Sequence, residues 1–356
     1  MKVLSLFSGI GAFEKALEKL EIEYELVGFS EIDKYAIKSY CAVHGVDENL
    51  NLGDITKIQL NTLPKDIDLI THGSPCQDFS VAGKQAGGDM GTGTRSSLMW
   101  NTVNIITYCK PKYVIWENVK NLLSKKHRHN FDAYISILES LGYNNYYQIL
   151  NAKDYGIPQN RERVYTISIR KDIDNGKFVF PKKTELRLRL RDIIEDYVDE
   201  KYYLDDKKIL KIQNSNFMQE RKIIQEKDYC DTILARDWKD PKCIQVGELD
   251  IKGMDCVKRV YSPDGLSPTL TDMQGGNRQP KIEVFGGIKE TTETKIRIRK
   301  LTPRECWRLM GFSDWDFEKA MKAPTSNSQL YKQAGNSIVV NVLVEIFKNL
   351  FMEEII

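Results

Sequence analysis

The sequence predicts an α/β protein with a largely parallel sheet and an inserted region of mostly β and irregular structure. Two observations carry this. From the N-terminus to about Pro181, short apolar runs alternate with amphipathic segments, the βαβα rhythm of helices laid on a parallel sheet. Beyond Pro181 the rhythm stops and turn residues become frequent, until helical patterning returns with "LTPRECWRLMGF" at 301–312.

Taken in order, "VLSLF" (3–7) is the first strand. The next segment places Ala12, Phe13, Ala16, Leu17 and Leu20 on one helical face, with Glu14, Lys15, Glu18 and Lys19 opposite. "ELVGF" (25–29), "IDLIT" (67–71), "YVIWE" (113–117), "YYQIL" (146–150) and "RVYTISI" (163–169) are further strands, and 131–141 is helical. Near the end, Thr302 is placed to cap a helix, with Pro303 at its first position and Glu305 completing a capping box. The tail "NSIVVNVLVEIFKNLFMEEII" is a strongly apolar helix in need of a partner surface. It is expected to return to the first domain. The predicted domains are therefore a discontinuous unit of 1–182 with 332–356, an insert over 183–297, and a hinge over 298–331.

Composition narrows the classes. At 356 residues the chain has room for about two domains. Its 52 Lys and Arg against 50 Asp and Glu leave a net charge of +2, so any nucleic-acid attraction must be local. Seven scattered cysteines, no Cys-x-x-Cys pair and four histidines argue against a metal site. The start "MKVLSLFSG" has no signal-peptide pattern, which predicts a reducing cytoplasm, and no apolar run approaches a membrane span.

"FSGIGAFE" (7–14) joins a strand to a helix, so Gly9 and Gly11 can bring the backbone close to a ligand facing the helix N-terminus. Alone, a tight turn that binds nothing is equally acceptable. Glu31, at the end of the second strand, stands where a carboxylate takes both ribose hydroxyls, and Asp54 where one accepts from an adenine amino group. The third glycine of the dinucleotide fingerprint is missing, which favours one nucleoside with a short zwitterionic extension. S-adenosylmethionine has that form.

"THGSPCQDFSVAGKQAGGDMGTGTRSSL" (71–98) puts Cys76 after a strand, at the edge where ligands of such sheets bind, and before a glycine-rich loop. Most free cysteines are buried and inert, but a polar turn is a poor setting for one of those. A nucleophilic thiol needs nearby positive charge or a base, and no histidine is an obvious partner. "QNRERVY" supplies cations: in a strand, Gln159, Arg161 and Arg163 share one face, although a solvated edge explains such a run too. Glu117 closes an otherwise apolar strand, where a carboxyl of raised pKa can act as a general acid on a ring nitrogen.

"FSGIGAFE", "EID", "GDI", "GSPCQDFS", "RSSL", "ENVKNL", "DYGIPQNRERVY", "RKLTPRECWRLMGF" and "YKQAGNSIVVNVL", in this order, resemble the DNA (cytosine-5)-methyltransferases of bacteria and phages. The resemblance spans the chain except for about 185–295. It implies a Rossmann-like, class I S-adenosylmethionine-dependent methyltransferase fold with an inserted target-recognition domain. It also implies that Cys76 adds to cytosine C6, Glu117 binds the exocyclic amine and N3, and Arg163 holds the carbonyl, with Arg161 on the phosphate side. Phe7, Gly9, Gly11, Glu31, Asp54, Pro75, Leu98, Asn336 and Ser337 are assigned to S-adenosylmethionine. The target base must leave the duplex stack, and the glycine loop, with Gln77 and Ser80 facing DNA, is expected to fold over it.

"KRVYSPDGLSPTLTDMQGGNRQPKI" (258–282) resembles the core of a target-recognition domain. Thr269 and Leu270 match its threonine-leucine pair, and Gly275 and Gly276 let backbone lie against DNA. Arg259, Arg278 and Gln279 are candidates for base contacts, although for each a phosphate contact is the simpler reading. "LRLRLR" and "KIRIRK" are expected to add electrostatic attachment. The resulting expectation is a sequence-specific enzyme acting on double-stranded DNA as a monomer, phage-borne or beside a separately encoded restriction endonuclease. An RNA-directed relative and a catalytically inactive DNA-binding homologue are the alternatives.

Overall fold

The apolar runs of the N-terminal half form β1 (Lys2–Leu6), β2 (Glu25–Ser30), β3 (Leu69–His72), β4 (Tyr113–Val119), β5 (Tyr143–Asn151) and β6 (Glu162–Arg170). The computed structural model describes residues 1–75, 87–203, 245–248, 259–270, 279–285, 296–323 and 325–352. Cys76, Gln77, Ser80, Gly275, Gly276 and Arg278 lie outside them. The six strands pair in the order β2-β1-β3-β4-β6-β5. The first four run parallel, whereas β6 is antiparallel to both β4 and β5. The expected parallel sheet thus reverses at one edge. The link from β5 to β6, residues 152–161, is shorter than the crossover a parallel pair needs.

Neighbouring residues along each strand serve opposite faces, as the pleat requires. Val3, Leu69 and Ile115 enter one core with Ala16 and Leu17 of α1 (Ala12–Lys19). Leu4, Ile70 and Val114 enter the other, with Val103 and Ile106 of α3 (Met99–Cys109) and Phe131 and Tyr134 of α4 (Arg128–Ser140). Between them in sequence lies α2 (Lys34–His44), capped by Asp33 Oδ1 on the N–H of Tyr35 and ended by left-handed Gly45.

The C-terminal region forms α5 (Pro303–Arg308), α6 (Asp314–Lys322), α7 (Asn327–Asn336) and α8 (Val340–Phe347). The capping box at α5 is present in both directions: Glu305 N–H donates to Thr302 Oγ1 at 3.2 Å, and Thr302 N–H to Glu305 Oε2 at 2.7 Å. Residues 298–331, expected as a hinge, are bound to the first helices. Lys15 pairs with Asp316 at 2.8 Å, Lys19 Nζ donates to Gly311 O at 2.7 Å, and Lys319 Nζ donates to Val43 O at 3.0 Å. Trp307, Leu309 and Phe317 lie in the same core as Val3 and Leu17.

The apolar tail does return: Leu343, Ile346 and Phe347 of α8 share the core of α1. By length and composition the stretch Asn327–Met352 would pass for a membrane span, contrary to the sequence expectation, with mean hydropathy 1.2 over its best window. Half of that window is buried inside the protein, and Ser337 separates α7 from α8, so core packing accounts for the hydropathy.

The inserted region contributes a second sheet, in the order β10-β9-β8-β7, from β7 (Gln245–Glu248), β8 (Arg259–Tyr261), β9 (Lys281–Phe285) and β10 (Ile296–Lys300). Leu190, Leu270 and Ile282 extend the core of the first sheet into it.

Candidate active site

The first loop folds as the glycines allow. Phe7, Gly9 and Gly11 have φ of 53°, 56° and 78°, and Gly9 N–H donates to Glu31 Oε2 at 3.0 Å. Glu31 Oε1 accepts from the N–H groups of Ile32 and Asp33 at 2.8 and 2.9 Å. A carboxylate has about four acceptor positions, so three are already used and Oε2 keeps one. Asn51, which sequence reasoning missed, joins the next junction to this one. Its Oδ1 accepts from Glu31 N–H and Gly53 N–H at 3.1 and 3.0 Å, and its Nδ2 donates to Glu31 O. Asp54 follows, with Oδ1 accepting from the N–H and hydroxyl of Thr56, bonds that hold its carboxyl below the usual range. Ile32 was also missed; it is 74% exposed beside Glu31, an apolar side chain standing over an otherwise polar edge.

The loop carrying Cys76 leaves β3 under tight control. Trp116 Nε1 donates to Ser74 Oγ at 3.0 Å, and Asn118 Nδ2 to Ser74 O at 3.2 Å. These two residues of β4 flank Glu117 and fix the chain up to Pro75. Beneath them His72 is fully buried, its Nε2 3.0 Å from Tyr134 Oη and its ring 5.6 Å from that of Trp116. Burial pushes its pKa down from 6.5 to about 3. The unfolded chain therefore takes up a proton here as pH falls below 6.5, and the folded chain does not until about 3. Stability should fall by about 2 kcal/mol between pH 7 and pH 5 from this one group. Urea midpoints at the two pH values should show that loss, and His72→Gln should remove about that much of the slope.

Glu117 and Arg163 meet across β4 and β6. Arg163 stands opposite Val119, one diagonal from Glu117, and its Nε lies 3.1 Å from Glu117 Oε1. The contact is an ion pair without hydrogen-bond alignment; Arg163 Nη1 donates to Glu162 O instead, and Glu117 Oε1 has no hydrogen-bond donor among the described residues. Burial raises the Glu117 pKa, with Arg163 and then Arg161 opposing. A β-carbon on Gly73 would lie 3.9 Å from Glu117 Oε2.

Arg161 departs from expectation. β6 begins at Glu162, and Gln159 and Arg161 precede it in tight turns, so the three residues do not share a strand face. Arg161 is 4% exposed and donates to Leu270 O at 2.9 Å, Gly335 O at 3.2 Å and Ser337 O at 2.7 Å. It ties three chain segments together inside the protein and does not face a phosphate. Lysine cannot reproduce the planar fork, so Arg161→Lys should cost about 3 kcal/mol in urea unfolding, far more than Arg163→Lys.

The remaining residues are distributed as follows. Pro75 is half-buried at the end of the described β3 loop, and Leu98 packs half-buried at the end of the turn Arg95–Leu98. Asn336 is exposed at the end of α7, and Ser337 caps that helix. Thr269 donates its hydroxyl to Asn160 O at 2.6 Å, and Leu270 N–H donates to Gln159 Oε1. The threonine-leucine pair is therefore docked on the 159–161 segment. Arg259 is half-buried in β8, and Gln279 is half-buried just before β9. The basic runs give less than expected: Arg299 is buried in a two-pronged pair with Glu305 at 2.7 and 2.9 Å, and Arg191 pairs with Asp264. Among the described residues no His, Cys, Asp and Glu group is arranged to hold a metal.

A glycine turn after β1, Glu31 after β2 and a buried Glu117–Arg163 pair on β4 and β6 stand on one α/β sheet whose last strands reverse, a Rossmann-like methyltransferase fold. The sequence comparisons agree across the chain: it belongs to the C-5 cytosine-specific DNA methylase family, whose model matches residues 1–352. It is 39% identical to the orphan methyltransferase M.SPBetaI of Bacillus phage SPbeta over 98% of this chain and 97% of that one. It is 35% identical to the type II methyltransferase M.HhaI of Haemophilus parahaemolyticus, over 98% and 94%. A solved structure of the S. pombe Dnmt2 methyltransferase superposes over all of both chains with a TM-score of 0.66 at 21% identity, a likeness of fold. The chain is a DNA (cytosine-5)-methyltransferase.

Proposed function

We propose that the chain methylates C5 of a flipped-out cytosine in duplex DNA at a specific sequence, with S-adenosylmethionine as methyl donor and Cys76 as a transient covalent nucleophile. The observation that supports it best is Glu117: a buried carboxyl of raised pKa, paired with Arg163, beside the root of the cysteine loop.

The first loop suits the cofactor. Glu31 Oε2 keeps one acceptor position, Asp54 Oδ2 accepts no hydrogen bond among the described residues and has only a long ion pair with Lys57 at 3.9 Å, and Ile32 offers an apolar surface to a purine. One ribose hydroxyl, not two, is accommodated while Ile32 and Asp33 keep their bonds to Oε1. Phe7, Gly9, Pro75, Leu98, Asn336 and Ser337 complete the proposed set. When bound, the sulfonium supplies an electrophilic methyl group.

Cytosine C5 is too poor a nucleophile to take that methyl group unaided. The Cys76 thiolate adds to C6, and Glu117 hydrogen-bonds or protonates N3, so electron density collects at C5. C5 would then take the methyl group that S-adenosylmethionine, held by Glu31 and Asp54, would supply, leaving S-adenosylhomocysteine. A base removes the C5 proton, any proton on N3 returns to Glu117, the C6–S bond breaks, and Cys76 is regenerated as the thiolate. Arg163 holds the Glu117 carboxyl and the cytosine carbonyl. Arg161 acts at one remove, by fixing the segment that carries Arg163.

In this reading residues 183–297 recognise the target and 1–182 with 332–356 catalyse. The enzyme works in the cytoplasm as a monomer, with or without a cognate endonuclease. Methyl-labelled S-adenosylmethionine, offered with duplex DNA and with tRNA in parallel, tests the substrate. Label is expected in DNA; label in tRNA alone would move the reading to RNA.

A further inference from the structure

The geometry assigns to His44 the role of a positioning residue that fixes the first glycine turn for the cofactor. The inference rests on the proposed binding of S-adenosylmethionine at that turn.

His44 is the last residue of α2, and its side chain is 1% exposed. Its Nδ1 lies 2.5 Å from Glu18 Oε1, and its Nε2 lies 3.1 Å from the carbonyl oxygen of Ile10, between the two turn glycines. A backbone carbonyl can only accept. The Glu18 carboxyl is ionised as well: burial would raise it, but bonds from His44 and Lys15 bring it down to about 2. Both ring nitrogens therefore face acceptors, so the ring is held between Glu18 and Ile10 O.

Gly11 is built around this contact. A β-carbon there would sit 2.1 Å from His44 Nε2 and 2.9 Å from Tyr40 Cε2, so the second glycine admits the histidine. The turn is then held from two sides, by Glu31 at Gly9 N–H and by His44 at Ile10 O. Lys15 bridges Glu18 Oε2 at 2.5 Å and Asp316 Oδ1 at 2.8 Å, Tyr24 Oη donates to Glu18 Oε1 at 3.4 Å, and Tyr40 stacks obliquely on the ring.

Calorimetric titration of the full chain with S-adenosylhomocysteine tests this, with thermal melts to confirm folding. His44→Ala should bind about fivefold more weakly than wild type, the worth of one ordinary hydrogen bond, with KM for the cofactor raised and kcat at saturation within about twofold. His44→Gln, whose amide can still donate to Ile10 O, should bind close to wild type. Folded His44→Ala with wild-type affinity and KM would overturn the assignment. Failure of the wild-type chain itself to bind S-adenosylhomocysteine would overturn the cofactor reading and this inference with it.

Discussion

Cys76→Ala should lower single-turnover methyl transfer to duplex DNA by at least about four orders of magnitude, as removal of a covalent nucleophile does elsewhere. The proposed chemistry has no substitute for it: without addition at C6 the ring cannot build negative charge at C5, and the methyl group has no acceptor. Binding should survive, because Ser74 is fixed by Trp116 and Asn118 whichever side chain follows two residues later. S-adenosylhomocysteine and duplex DNA should therefore bind within about threefold of wild type, a change below 1 kcal/mol. Transfer at a substantial fraction of the wild-type rate would remove Cys76 from the mechanism.

Glu117→Gln should slow transfer by about 10²–10⁴, the range for a positioned general acid. Glutamine keeps the shape and an oxygen for the exocyclic amine but cannot deliver a proton to N3. The pH profile adds a second readout. Burial raises the folded carboxyl above its unfolded value, with Arg163 only partly opposing. Wild-type transfer should then lose its acid as pH rises through that raised pKa, and the variant should lack this limb. The same sign governs stability. Ionising a group whose folded pKa is raised weakens the fold progressively from the unfolded pKa up to the folded one, and the full loss persists above. At pH 8 the wild type carries that loss and the glutamine variant does not, so Glu117→Gln should melt no lower than wild type. A melting temperature several degrees lower would mean that the ionised pair with Arg163 is a net stabiliser.

Glu31 was legible as the polar residue that follows an apolar strand, and the capping box at Thr302 announces α5. Glu117 stops the apolar run of β4, which continues to Val119, and Asp54 caps a short turn with no strand before it. The reversal of β6 was not legible, since strand patterning is the same in either direction and only the short 152–161 link hints at it. Gly11 was read as making room for a ligand, when its β-carbon would meet His44, thirty-odd residues away in sequence. Arg161 resembled its neighbour Arg163 in type and spacing, but its partners are backbone carbonyls at 270, 335 and 337, which no local pattern reveals. Trp116 was read only as part of the apolar strand 113–117 and Asn118 was not singled out, whereas both hold Ser74 across the sheet. The same long-range burial removed Arg299 from the DNA-facing set.

The central claim, that this methyltransferase works through a Cys76 adduct on cytosine C6, is tested most directly with a duplex carrying 5-fluorocytosine throughout one strand. Fluorine in place of the C5 hydrogen cannot leave as a proton does, so the last elimination is blocked. Incubation with S-adenosylmethionine should give a covalent complex with the mass of chain, DNA and one methyl group, and peptide mapping should place the link on Cys76. Enzyme that methylates the unmodified duplex yet forms no such complex, or one linked through another residue, would contradict the mechanism.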